Sequence, residues 1–150
     1  MSVEADDVEI LLVEDNPTDE ELTRHAFSRY KVTNRLHVVR DGEEALDFLF
    51  ARGPYAGRDV SNHPKVILLD IKLPKVDGHE VLRQVKADPR TATIPVVLLT
   101  SSREERDIVA GYRNGANSYI VKPVDFEQFT EAMRAVGMYW LLLNKPPDLE

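Results

Sequence analysis

The stretch VILLDIKLP, residues 66–74, begins with four consecutive apolar residues and then reaches a carboxylate, Asp70. A short, unbroken apolar run that ends before a proline is typical of a strand buried on both faces of a parallel sheet. Burying the charge of Asp70 is costly unless it is paired or bound to a metal. The stretch therefore predicts a central strand that ends at Asp70. The carboxylate of Asp70 either caps the following turn or holds charge for a chemical reaction.

Four further β-branched runs are typical of strands, and segments with helical spacing separate them. The five predicted strands cover residues 9–13, 36–40, 66–70, 95–99 and 118–121. Strands that are nearly continuous in apolar residues and alternate with helices form parallel sheets covered on both faces. We therefore predict an α/β fold, a doubly wound five-stranded sheet of flavodoxin-like (βα)5 type with strand order 2-1-3-4-5.

The length and composition of the chain limit the kinds of partner that it can bind. The chain has 150 residues, a formal net charge of -7 and no cysteine. This length is most economically one domain, and an acidic chain lacks the basic face that a nucleic-acid partner needs. The amino terminus does not resemble a secretory signal, and no apolar run reaches membrane-spanning length. We expect a single cytoplasmic domain, residues 1–150, with neither nucleic acid nor a membrane as its partner.

Polar side chains stand at the carboxyl ends of four of the five strands. They are Glu14 and Asp15 after the first strand, Asp70 closing the third, Thr100 after the fourth and Lys122 after the fifth. In such sheets the ligand site lies beyond these ends, where the strand order reverses. Carboxylates that converge there repel by roughly 4 kcal/mol per pair at an effective dielectric of 20, so they recruit a cation. Oxygen ligands alone favour a hard metal, and Mg²⁺ is the natural candidate.

The same edge also carries groups that suit a phosphoryl group. Lys122 supplies a positive charge, and Thr100 supplies a hydroxyl donor. A carboxylate can itself be the nucleophile and form an aspartyl phosphate, and Asp70 is the best placed of the three acids. The set therefore predicts phosphoryl transfer to Asp70.

Four motifs, in this order along the chain, resemble the receiver domain of two-component response regulators. They are LLVEDN at 11–16, VILLDIKLPKVDG at 66–78, VVLLTSS at 96–102 and GANSYIVKP at 115–123. The resemblance covers roughly residues 8–136 and leaves no output domain after them. It implies a signalling phosphoacceptor that catalyses only its own phosphorylation and dephosphorylation, with a sensor histidine kinase as the donor.

The resemblance also implies roles for individual residues. Asp70 would be the phosphoacceptor, Glu14 and Asp15 the metal-side acids, and the backbone carbonyl of Lys72 a further Mg²⁺ ligand. Lys72, together with Ser102, occupies a position that sets the lifetime of the phosphoryl group in this family.

A conformational switch is a further implication of the resemblance. Thr100 and Lys122 would hold the phosphoryl oxygens, and the Lys122–Pro123 bond would be cis, as proline permits. On phosphorylation Thr100 would move toward the phosphoryl group while the ring of Tyr119 turns inward. This change would remodel the surface of the fourth helix, fifth strand and fifth helix.

The connection between the second helix and the third strand, residues 51–65, is longer than a tight crossover needs and is rich in glycine and proline. We expect a surface loop there. Residues 40–55, with this loop and the later stretch 114–119, are similar to the small regulators that partner bacterial phytochrome kinases. A bacterial phytochrome is therefore a candidate partner.

The carboxyl-terminal segment carries an apolar stripe at helical spacing: Phe126, Phe129, Met133, Val136 and Trp140. From residue 138 to 143 the chain is apolar on every side, which one sheet cannot cover. We expect an extended carboxyl-terminal helix and tail at 137–150 whose exposed face marks a protein interface. The predicted homodimer, or kinase-docking, surface includes Tyr139, Trp140, Leu141 and Leu143 together with the fourth helix, fifth strand and fifth helix.

Other interpretations stand beside this one. The acids after the first strand could simply favour a helix amino terminus, and Asp70 could cap a turn. A dinucleotide-binding domain needs a glycine-rich turn where residues 14–21 read EDNPTDEE, and a haloacid dehalogenase-type phosphatase needs an aspartate where Lys72 stands. A receiver that binds partners without ever taking phosphate remains open, and Asp70→Asn would discriminate it.

Overall fold

The computed structural model describes residues 8–32, 34–101 and 105–138. Strands and α-helices alternate along this part of the chain. The strands are β1 (Ile10–Val13), β2 (Leu36–Val39), β3 (Val66–Asp70), β4 (Val96–Thr100) and β5 (Ser118–Val121). The helices are α1 (Pro17–Arg29), α2 (Gly42–Leu49), α3 (Gly78–Ala87), α4 (Glu105–Arg113) and α5 (Phe126–Ala135), and a short 3-10 helix (Gly53–Tyr55) follows α2.

All strand pairs are parallel, and the sheet order is β2-β1-β3-β4-β5. This confirms the predicted fold and strand order. The predicted bounds of β3 and β5 match, while β1 begins and β2 ends one residue inside the predicted limits. Strand β4 is shifted by one residue because Pro95 has no N–H to donate, so Thr100 is its last residue.

The core consists of two layers, one on each face of the sheet. Alternate residues of β1, β3 and β4 pack on α2 and α3 on the first face, and the others pack on α1 and α5 on the second. Phe129 of α5 is fully buried, and its ring centroid lies 4.7 Å from that of Phe27 in α1. Within the described ranges, no helix has both the length and the apolar character needed to cross a bilayer.

The end of α5 lies within the apolar stripe that the sequence shows from Phe126 to Trp140. The helix ends at Ala135, because Gly137 adopts a left-handed conformation with φ of +75°. The N–H of Met138 then donates to the carbonyl of Met133 at 2.7 Å, which is the hydrogen bond of a glycine-terminated helix end. Gly137 therefore separates α5 from the predicted carboxyl-terminal helix and tail at 137–150, which stays a prediction.

Several predicted features fall on residues that the structure does not describe. Ser102 is one of them, and so is the predicted tail from residue 139 onward. The predicted interface residues Tyr139, Trp140, Leu141 and Leu143 also lie outside the described residues. Their assigned roles stay predictions.

The connection between α2 and β3 is anchored by side chains rather than fully exposed. The hydroxyl of Tyr55 donates to Glu44 at 2.8 Å and lies 3.1 Å from the ring nitrogen of His37. The guanidinium of Arg58 lies 3.7 Å from the ring centroid of Phe48 and donates to the carbonyl of Asn62 at 2.8 Å. These contacts hold the connection against β2 and α2.

Candidate functional site

The carboxyl edge of the sheet carries all five side chains that the sequence predicts there. Glu14 and Asp70 are buried, with 1% and 5% of their surface exposed, and Thr100 is also 5% exposed. Asp15 is exposed beside them. The edge therefore carries two buried carboxylates, those of Glu14 and Asp70, and one solvent-exposed carboxylate, that of Asp15.

Three carboxylates at this edge converge on a small volume. Each of Glu14, Asp15 and Asp70 offers an oxygen atom, and these oxygens all lie within 4.8 Å of one another. Parallel pairing explains the convergence, since β1 and β3 are neighbours in the sheet and end at the same level. Like charges at this distance are unfavourable unless a cation lies among them.

The ammonium of Lys122 supplies one positive charge to this cluster. Its Nζ lies 2.6 Å from Oδ2 of Asp70 and 3.0 Å from Oε1 of Glu14. A third carboxylate, Asp19 in the first turn of α1, lies 3.0 Å from the same nitrogen. Burial disfavours the charged lysine, but hydrogen bonds with Asp70 and Glu14 outweigh it and raise the pKa of Lys122. The ammonium is thus held firmly in its charged form.

Glu14 responds to the same environment in the opposite sense. Burial is the largest influence, and a hydrogen bond with Asp70 and repulsion from it act in the same direction, raising the pKa of Glu14 to about 7. Lys122 opposes this rise without cancelling it. Repulsion between Glu14 and Asp70 therefore persists beside Lys122, which favours binding of a further cation at the cluster.

The backbone that follows Asp70 is fixed by short contacts. The N–H of Lys72 donates to Oδ1 of Asp70 at 3.0 Å, and the N–H of Gly78 donates to the carbonyl of Ile71 at 3.0 Å. A Cβ at Gly78 would lie 2.3 Å from the carbonyl oxygen of Asp70, so a side chain there would displace the acceptor strand. Glycine thus lets α3 begin directly against the end of β3.

Comparison with known proteins gives this arrangement a family. A family model described as "Response regulator receiver domain" matches residues 10–134. This chain belongs to the response regulator receiver family. The resemblance carried by the four sequence motifs is thereby confirmed.

Relatives of this receiver domain include the probable methanogenesis regulatory protein FilR2 of Methanothrix harundinacea. The two are 44% identical over 138 residues, which is 92% of this chain and 86% of the relative. The response regulator Rcp1 of Synechocystis sp. is 37% identical over 132 residues, 88% of each chain. Both likenesses extend over nearly the whole described chain.

Solved structures similar to this receiver domain include two bacteriophytochrome response regulators. AtBRR is 52% identical, with a TM-score of 0.82, and the match covers 91% of this chain and 97% of that one. RtBRR is 51% identical with a TM-score of 0.82, covering 93% of this chain and 84% of that one. These two structures support the resemblance of residues 40–55 to the small regulators that partner bacterial phytochromes.

The acidic cluster of this receiver domain fits a divalent cation. Its donors are carboxylate oxygens, which are the ligands that Mg²⁺ prefers, and its charge exceeds that of Lys122. Glu14, Asp15 and Asp70 would hold the ion, with the carbonyl of Lys72 as the further predicted ligand. Bound there, Mg²⁺ would neutralise charge on phosphoryl oxygens.

The remaining predicted residues lie where strands β4 and β5 end. The N–H of Lys122 donates to the carbonyl of Thr100 at 2.8 Å, and the Lys122–Pro123 peptide bond is cis. Tyr119 is half-buried, and its ring meets that of Tyr112 edge-on with centroids 6.5 Å apart. Thr100 and Lys122 thus flank Asp70, while Tyr119 lies two residues before the last residue of β5.

Asp19 is the site residue that the sequence reasoning missed. From the sequence alone, Asp19 is simply one of several acids that favour the amino terminus of a helix. A signal was available, because Asn16 and Pro17 mark the start of a helix directly after β1, which places residue 19 at the same edge. The structure shows that this first turn faces Lys122.

Proposed function

We propose that this receiver domain accepts a phosphoryl group on Asp70 from a sensor histidine kinase in the presence of Mg²⁺. A carboxylate oxygen of Asp70 would form the bond to phosphorus while the bond from phosphorus to the kinase imidazole breaks. The electron pair of that bond returns to the imidazole nitrogen. The observation that carries the proposal is the buried Asp70 carboxylate, 2.6 Å from the Lys122 ammonium and beside two further acids.

Two side chains would prepare the acceptor. Lys122 places a positive charge against Asp70, where it can bind a phosphoryl oxygen once that oxygen arrives. Thr100 ends the neighbouring strand, because Asp70 pairs with Leu99 in the sheet register. Its hydroxyl is therefore in the right strand position to donate to a second phosphoryl oxygen.

The same threonine would operate the switch. Thr100 would move toward the phosphoryl group, and Tyr119 would turn inward into the space that the threonine leaves. Tyr119 is half-buried and already packs against the core layer on the first face of the sheet, which supports this direction of movement. The change would alter the surface formed by α4, β5 and α5.

That surface is our proposed site of partner binding or homodimerisation. Val109 and Tyr112 of α4 are 40% and 47% exposed, so the face presents apolar area to a partner. The carboxyl-terminal residues Tyr139, Trp140, Leu141 and Leu143 would extend the same interface. Light scattering with and without phosphorylation tests this, since a chain that stays monomeric at high concentration removes the dimer.

A bacterial phytochrome is the proposed donor kinase, acting in the cytoplasm where its ATP is found. The support is the identity of about half the residues shared with proteins described as bacteriophytochrome response regulators. A phosphotransfer profile against purified kinases tests this proposal. Preferential transfer from a phytochrome kinase is expected, and preference for an unrelated kinase would contradict it.

Intact-mass measurement after incubation with a small acyl phosphate tests the acceptor itself. We expect a single phosphoryl adduct on the wild type with Mg²⁺, and none after chelation or in Asp70→Asn. An adduct that persists in Asp70→Asn would contradict the assignment of the acceptor. No adduct under any condition would favour a binding module that works without phosphate.

A further inference from the structure

Asp19 gives Lys122 a carboxylate partner outside the acidic cluster formed by Glu14, Asp15 and Asp70. An ammonium has three N–H donors. All three have a carboxylate within reach, from Asp70 at 2.6 Å, Asp19 at 3.0 Å and Glu14 at 3.1 Å. Lys122 therefore has no unused donor in this state.

The backbone of α1 holds Asp19 in place. Its N–H donates to the side chain of Asn16 at 3.0 Å, which is the amino-terminal cap of the helix. Its carbonyl accepts from the hydroxyl of Thr23 at 3.0 Å, and Thr23 is buried. These two hydrogen bonds fix the backbone of Asp19 in the first turn of α1, and its side chain is 28% exposed.

The other two partners of Lys122 have further duties under the proposed function. Glu14 and Asp70 belong to the converging carboxylates that suit a divalent cation, and Asp70 is the proposed acceptor. Among the described residues, Asp19 does not belong to that converging group. It is the one carboxylate partner of Lys122 that neither the cation nor the phosphoryl group engages.

We propose that Asp19 is a positioning residue that holds the Lys122 ammonium over Asp70 during phosphorylation, an inference that rests on the proposed function. Asp19 restrains the long lysine side chain from the α1 side while Glu14 and Asp70 change partners. The Lys122 ammonium then meets the phosphoryl oxygen in a fixed geometry, and holding a reacting group in place in this way speeds a reaction.

The test compares Asp19→Asn, which removes the charge at nearly constant shape, with Glu21→Gln, an exposed acid on the same helix. At saturating Mg²⁺ and acyl phosphate, we expect Asp19→Asn to form the Asp70 adduct about tenfold more slowly, the loss typical of one charge-assisted hydrogen bond. Glu21→Gln should react at the wild-type rate. Both rates come from intact-mass time courses.

A second measurement reports on the lysine directly. Lys122, held by three carboxylates, should give a slowly exchanging ¹H–¹⁵N ammonium signal that disappears in Lys122→Met, which assigns it. We expect Asp19→Asn to broaden or lose this signal while the backbone amide spectrum stays that of a folded chain, and Glu21→Gln to keep it. A protein in which Asp19 served only the helix would keep the Lys122 signal.

Slower phosphorylation together with a perturbed Lys122 signal supports the positioning role. A wild-type rate in Asp19→Asn overturns it, and so does a slower rate with an unchanged lysine signal. Absence of any adduct on the wild type would instead defeat the proposed function itself. The two failures are therefore distinguishable.

Discussion

Replacing Lys122 by methionine should destabilise the metal-free protein by leaving its acidic partners without a cation. The lysine side chain is 12% exposed, and those of Glu14, Asp70 and Asp19 are 1%, 7% and 28% exposed. Removing one member of a buried ion pair costs about 3–5 kcal/mol, because the other charge stays buried and unpaired. The exposure of Asp19 and the ability of Glu14 to take up a proton place the loss near the lower limit, about 3 kcal/mol.

The loss should also depend on pH and on Mg²⁺. Burial and Asp70 raise the pKa of Glu14 to about 7, so Glu14 carries its charge above that pH and is neutral below it. The free energy lost in Lys122→Met should therefore be larger at about pH 8 than at about pH 6. Mg²⁺ should reduce this loss, because the variant lacks the competing ammonium and binds the ion more tightly than the wild type does. At saturating Mg²⁺ each tenfold difference in Kd reduces the loss by about 1.4 kcal/mol.

Urea unfolding, followed by circular dichroism with chelator and then with saturating Mg²⁺, measures these effects. Lys31→Met, at an exposed lysine after α1, is the matched control and should change little. A loss below about 1 kcal/mol in chelator would refute the reasoning, since surface ion pairs contribute no more than that. So would a loss that Mg²⁺ fails to reduce.

Three further predictions follow from other parts of the molecule. Gly78→Ala should lower the free energy of unfolding, measured by urea titration, by about 3 kcal/mol, because its Cβ would meet the Asp70 carbonyl oxygen at 2.3 Å. Gly57→Ala is the control and should cause no such loss, since a Cβ there has no atom within 4 Å. Burial lowers the pKa of His37, so the unfolded chain binds its proton more readily and stability should fall as the pH drops below about 6.5. His37→Gln should weaken that fall, seen as a smaller difference between urea midpoints at about pH 7.5 and about pH 5.5. Lys72→Asn should change the half-life of the phosphorylated protein more than about twofold in a decay assay, because Lys72 is exposed two residues after Asp70, where the family resemblance assigns control of the phosphoryl lifetime. Equal half-lives would contradict the assigned role.

The strands were predictable because burial on both faces leaves a simple record in the sequence. The apolar run before Asp70 predicts β3 with its observed bounds, since all five of its residues are buried. The run before Lys122 predicts the bounds of β5 as well, although only Ile120 of that edge strand is buried. Strand β4 was misplaced by one residue, since Pro95 was counted inside a strand that starts at Val96. Local backbone chemistry, rather than hydrophobicity, decides such ends.

The edge residues of the site were predictable for a topological reason. Once strand order 2-1-3-4-5 is inferred, the ends of β1 and β3 are neighbours, so Glu14 and Asp70 must converge. The contact between Asp19 and Lys122 joins residues 103 positions apart and depends on how the first turn of α1 is oriented toward the Lys122 side chain. Helix orientation of this kind is set by packing and has no local sequence signature.

The end of α5 shows two sequence signals in conflict. The apolar stripe favoured a longer helix, while Gly137 favoured a stop. The stop prevails, since the left-handed glycine lets the Met138 N–H cap the helix at Met133. A glycine inside an apolar stripe therefore ends the helix here.

The most direct test of the central claim identifies the phosphorylated residue chemically. Borohydride reduces an aspartyl phosphate to homoserine, which peptide mass spectrometry locates in the chain. After incubation with acyl phosphate and Mg²⁺, the account predicts homoserine at position 70 alone. Homoserine at Asp15 or another aspartate, hydroxynorvaline at Glu14 (the alcohol that a glutamyl phosphate gives), or no reduced residue while the intact adduct persists, would contradict it.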